Sequence, residues 1–179
     1  MFEGFIKFIY NIHINKILEN TLYNNNDLIK TIKDIHLYEQ GEWKNNNTKR
    51  TDFIIINFNK DAIPPELKSI LSLFIDKDNK IYSKYKIKII EKTDTLVKIK
   101  TSIKIINKFA NIIFKLLRFK IKINISYNPI YNQTSVEVIY KIKTTLPLSY
   151  KKYINDLIEN IIKPNYIFKI DEYIKNSLE

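Results

Sequence analysis

Two histidines, a few clustered carboxylates and one tryptophan are the residues of this chain whose types could do chemistry. His13 and His36 stand at no metal-ligand spacing, and two imidazoles cannot make a histidine-rich metal site. His13 reads as a satisfied polar residue in a strand. His36 reads as the end of a helix, where a cationic ring suits the dipole. Glu39, Glu42 and Asp52 gather near Arg50. A carboxylate pair facing a cavity could move protons, but a surface ion-pair network is the simpler expectation for these four. The serines lack an elbow motif and no histidine follows them, so a nucleophilic triad has no support. The chain has no glycine after Gly41, which argues against a phosphate-cradling loop. With no cysteine there are no disulfides, thiol nucleophiles or thiolate metal sites. The chemistry points to a non-enzymatic protein with no metal and no cofactor.

Charge is the stronger signal. The net charge is +11, from 28 Lys and 2 Arg against 19 acidic residues. Four stretches alternate lysine with aliphatic or aromatic residues, and side chains in a strand alternate faces. Lys84, Lys86 and Lys88 oppose Ile81, Tyr85, Ile87 and Ile89; Lys120 and Lys122 interleave with Phe119, Ile121, Ile123 and Ile125; Lys141 and Lys143 interleave with Tyr140 and Ile142. Aligned strands gather these lysines on one face. A solvated surface, with codon bias supplying lysine, isoleucine and asparagine, explains such a face, and lysine also blocks edge-to-edge pairing. The functional alternative is a basic adaptor that docks an anionic membrane or a nucleic-acid backbone. With Arg50 and Arg118 as the only guanidinium groups, sequence-specific DNA reading is not expected.

The elements that must position these residues follow from periodicity. Residues 5–14 read as a strand with Phe8, Tyr10, Ile12 and Ile14 on one face. Asn15 and Asn26 can cap two short helices carrying Ile17, Leu18 and Leu22, then Leu28, Ile29, Ile32 and Ile35. Residues 37–43 and 52–59 form a hairpin around the Asn45-Asn46-Asn47 turn. Pro64 and Pro65 can open a helix over 66–73. Strands follow at 81–90, 96–106, 119–127 and 135–145, with 108–117 open between helix and loop. From Ser149 the apolar residues Tyr150, Ile154, Leu157, Ile158 and Ile161, then Ile167, Ile170, Ile174 and Leu178, recur at helical spacing. A proline inside a helix removes a hydrogen bond, so a kink or break is predicted at Pro164. A single domain over 1–179 is expected, intracellular and cytoplasmic, because no apolar run is long enough to span a bilayer and no secretory leader is recognisable.

This order resembles the START-like, or polyketide-cyclase-like, helix-grip superfamily, and Asp27-Leu28-Ile29, Glu42-Trp43, Arg50 and the Pro64 loop look like its lipid-binding branches. The resemblance implies an α+β fold, a curved antiparallel sheet wrapped around a long C-terminal helix. It also implies binding or transfer of a lipid or other hydrophobic molecule between the two. On that layout Trp43, Tyr85, Ile87, Tyr127, Tyr140, Ile154, Leu157 and Ile158 would line the cavity. Trp43 and the tyrosines also suit simple packing, and the indole is expected in the core. Bulky inner-face residues, few convergent polar groups and only two glycines leave a filled interior as the alternative to an open one.

Overall fold

The computed structural model describes residues 2–23, 25–32, 35–57, 65, 69, 78, 80–106, 117–144, 152, 155–156 and 158–177. It is an α+β arrangement of one antiparallel sheet with short helices after the first strand and a helix at the C-terminus. The strands are β1 (Phe2–Tyr10), β2 (Ile35–Glu39), β3 (Lys49–Asn57), β4 (Lys80–Lys92), β5 (Leu96–Ile105), β6 (Leu117–Asn128) and β7 (Gln133–Thr144). They lie in the order β1-β7-β6-β5-β4-β3-β2, all neighbours antiparallel. The first strand thus closes onto the last, and successive hairpins fill the space between.

Between β1 and β2 run α1 (Ile14–Leu18), a π-helical turn (Glu19–Tyr23) and α2 (Asn25–Thr31). β1 ends at Tyr10, four residues before the expected end, because the chain turns to start α1. His13 is therefore not in a strand. Its Nδ1 caps α1 by accepting from the Asn15 backbone N–H at 3.2 Å, the role expected of Asn15. His36 does not end a helix either; it lies exposed in β2 with its Nε2 2.9 Å from Asn57 Nδ2. The first hairpin is displaced from 37–43 and 52–59, since β2 stops at Glu39 and β3 already begins at Lys49. Asn45, Asn46 and Asn47 all take left-handed backbone angles in its turn, which asparagine tolerates better than most residues.

The remaining strands match the alternation to within a few residues. At the C-terminus Ile158–Ile167 is π-helical with Pro164 inside it, and α3 (Phe168–Asn176) follows as regular α-helix. The predicted disturbance at Pro164 takes this form: the wider winding accommodates a ring that lacks an N–H and would strike a carbonyl of the preceding turn. Apart from residue 69, the expected helix over 66–73 lies outside the described residues, as do 108–116 of the 108–117 segment, the Ser149 start and the side chains of Ile154, Leu157 and Ile158. Among the described residues no helix is long and apolar enough to cross a membrane.

The core joins one end of the sheet to the helices. Val97, Ile99, Ile125 and Val136 pack with Ile14, Ile17, Leu18 and Leu22 from the first helical segment and Ile174 from α3. Tyr10 donates to Asp171 Oδ1 at 2.8 Å, and Asn20 Nδ2 to Ser177 Oγ at 3.3 Å, so polar contacts also hold α3 to the N-terminal elements.

Candidate functional site

Strand register sorts the helix-covered inner face into rows. One row runs Gly4, Tyr140, Ile121, Thr101, Ile87 and Arg50 across six strands. The next carries Ile103, Tyr85 and Asp52. Following β5 along this face, exposure is 0% at Val97 and 4% at Ile99, then rises to 39% at Ile103. Ile103 is the one apolar inner-facing residue on β3–β7 that is exposed among those whose side chains are described, and Ile121, Ile123 and Val138 are half-buried. The inner face is sealed at the α1 end and through the row of Arg50, Ile87 and Thr101, and accessible at Ile103, toward the opposite end of β5.

Polar groups flank this accessible patch. On the β3 side Arg50 and Asp52 are buried together, with Nε 3.0 Å from Oδ1 and both side chains fully shielded. Asp52 also accepts from the Gly41 N–H at 3.1 Å, and Arg50 Nη1 donates to the Leu22 carbonyl at 2.9 Å. The guanidinium lies 4.9 Å from the Trp43 ring centroid, Trp43 packs on Tyr23 at 5.6 Å, and Lys92 Nζ donates to the Tyr23 hydroxyl. Gly41 fits because a Cβ there would meet the Thr51 carbonyl. This overturns the surface network expected for Glu39, Glu42, Arg50 and Asp52: the pair is interior, while Glu39 and Glu42 are exposed. The missed signal was period two. With β3 starting at Lys49, residues 50, 52 and 54 share the inner face.

Tyr85 sits opposite both Asp52 and Ile103, and burial pushes its phenol up from the ordinary value while a hydrogen bond to Thr101 partly opposes the shift. On the β7 side Tyr140 is buried, lying over Gly4, where any side chain would overlap its ring. Lys163 stands 5.9 Å from the Tyr140 centroid and bonds Glu159 at 2.6 Å; that carboxylate holds the ammonium above its ordinary value. The patch is thus bordered by the phenols of Tyr85 and Tyr140 and by the Lys163 ammonium. Its buried carboxylate is engaged by Arg50 and Gly41. These groups can donate hydrogen bonds, and none is a free base.

Of the residues expected to line a cavity, Tyr85 and Tyr140 border the patch. Ile87 lies in the packed core, Trp43 beside Arg50, and Tyr127 at the far end with its ring 4.4 Å from His13. Lys84, Lys86, Lys88, Lys120, Lys122 and Lys141 all project from the opposite, outer face, and Lys143 falls at an outer-face register position. Among the described residues no cluster of His, Asp or Glu could hold a metal ion.

No protein-family model matches the sequence, and no curated protein matches it. Solved structures do. Ara h 8.0201, a Bet v 1-like protein of START-type fold, superposes over 98% of both chains with a TM-score of 0.53 at 13% identity. TTHA0849 from Thermus thermophilus superposes over 99% of both chains with a TM-score of 0.52 at 7% identity. At these identities the likeness is one of fold.

Proposed function

We propose that residues 1–179 act as one helix-grip domain that binds a lipid or other hydrophobic molecule between the inner sheet face and the C-terminal helix, without catalysing a reaction. The observation that carries this reading is the exposure of Ile103 on a face whose other described apolar residues are buried or half-buried. An accessible apolar patch bordered by a few oriented donors is what a small-molecule site requires. The apolar body would lie over Ile103 and Ile121, and an acceptor group on the ligand would take a hydrogen bond from Tyr85 or Tyr140. Ara h 8.0201 shares this layout of sheet and C-terminal helix, which supports the reading at the level of fold.

Native mass spectrometry after incubation with a fatty acid, a sterol and a phospholipid tests it. Bound mass is expected, and Ile103→Trp should abolish it by filling the patch while circular dichroism stays unchanged. Failure of all three probes to bind, or undiminished binding by a folded Ile103→Trp variant, overturns the proposal.

A further inference from the structure

The outer face of the sheet carries a row of unlike halves. Lys49, Lys88, Lys100 and Lys122 are directly opposite one another on β3, β4, β5 and β6, and all four are exposed. At about 4.8 Å between strands the four span about 14 Å. The same row continues through Ile139 on β7 to Phe5 on β1, and Phe5 is 58% exposed. Three other cations on this face are compensated, Lys98 by Glu91 at 2.7 Å, Lys141 by Glu3 at 2.6 Å and Lys7 by Glu137 at 3.8 Å, while Lys84, Lys86, Lys104 and Lys120 add to its uncompensated charge. Among the described residues none of the four lysines in the row has an acidic partner. Like charges directly opposite in a sheet destabilise it, and solvation alone would be served as well by serine, threonine or alternating acids.

We propose that this face docks on an anionic lipid bilayer, the lysines meeting acidic headgroups while Phe5 and Ile139 enter the interfacial layer. Lysine suits that partner. Its ammonium is a compact point charge that needs no fixed acceptor geometry, whereas phosphate and base recognition in nucleic acid favours the arginine fork. The apolar end of the row has a counterpart in a membrane interface and none along a phosphate backbone. The proposal does not rest on the inner-face ligand, since the two surfaces lie on opposite sides of the sheet.

Flotation with vesicles of phosphatidylcholine, alone or mixed with phosphatidylserine, tests it on the full chain. Binding is expected only to the anionic vesicles and should fade as salt rises. At about fivefold per lysine, the Lys88→Glu/Lys100→Glu/Lys122→Glu variant should lose at least about 100-fold in partitioning. A control with equal change of net charge on the helical side, Lys16→Glu/Lys152→Glu/Lys169→Glu, should keep most of it, and Phe5→Ala should weaken what survives at high salt. Should the triple variant fail to fold, Lys100→Gln alone should lose about fivefold. Equal binding to neutral vesicles, or equal loss by both triple variants, overturns the proposal. So does displacement from the vesicles by single-stranded RNA that binds through the same lysines. Native mass spectrometry of the triple variant with the hydrophobic probes reads the inner face separately, so either failure is identifiable.

Discussion

Arg50 and Asp52, two residues apart on β3, form a salt bridge of 3.0 Å with neither side chain exposed. Such a pair loses the hydration of both charges, and it persists because Gly41 N–H and the Leu22 carbonyl complete its hydrogen bonds. Arg50 Nη2 has no hydrogen-bond partner among the described residues, so the guanidinium is held by one charge only. Asp52→Ala should therefore cost about 3–5 kcal/mol by stranding a buried cation. Replacing both residues with apolar ones, as in Arg50→Met/Asp52→Leu, should cost far less. Urea denaturation of the two variants checks the ordering, and an equal or greater loss in the double variant would refute this account.

Gly4 and Tyr140 face each other across β1 and β7, and a Cβ at Gly4 would overlap the phenol ring. Gly4→Ala should destabilise by about 1–3 kcal/mol through overpacking. In a Tyr140→Ala background, where the ring is gone, the same change should be nearly neutral. A thermodynamic cycle over the four proteins measures the coupling; additive effects would show that the ring is not the obstacle.

Strand alternation made most of the sheet legible in advance. Isoleucine and lysine at period two marked β4 to β7 because one face of each strand packs and the other is wet. The helical spacing of Ile167, Ile170 and Ile174 marked the C-terminal helix for the same reason. Other features depend on partners remote in sequence. Arg50 is interior because a carbonyl 28 residues earlier accepts its hydrogen bond, and no local pattern announces that. His13 caps a helix rather than ending a strand because the chain turns after Tyr10, where strand and helix patterns overlap in the same apolar residues. The polar border of the inner patch was legible only in part, for a related reason: Tyr85 and Tyr140 stood among the residues expected to line a cavity, Arg50 and Thr101 did not. Arg50, Tyr85, Thr101 and Tyr140 lie on four different strands, and only register brings them into neighbouring rows.

Two tyrosines, the buried Tyr10 and the half-buried Tyr85, give the fold a limit at alkaline pH. Burial and then the Asp171 carboxylate push the Tyr10 phenol up, and burial does the same to Tyr85. In the unfolded chain both titrate near the ordinary value of about 10. Below that pH the two states bind the same protons and the stabilisation is fully present. Above it the unfolded chain loses protons that the native state retains, so stability falls as pH rises. Denaturation midpoints should decline above about pH 10. Tyr10→Phe and Tyr85→Phe should each flatten that decline, and a slope unchanged in both variants would show that other groups govern it.

The Lys100 ammonium has a lysine directly opposite on each side, Lys88 on β4 and Lys122 on β6. Replacing it with glutamate turns two repulsive cross-strand pairs into two attractive ones. At about 0.2–1 kcal/mol per pair, Lys100→Glu should stabilise the fold by about 0.5–2 kcal/mol. All three positions are exposed, so the gain should shrink as salt screens them. Thermal unfolding at low and high salt checks both the sign and the screening. A destabilised variant would mean that the ammonium groups splay apart and do not repel. A stabilised one carries a further consequence, because vesicle docking would weaken through the same substitution. Stability and docking would then pull this position in opposite directions, as expected where a surface keeps a costly arrangement for a partner.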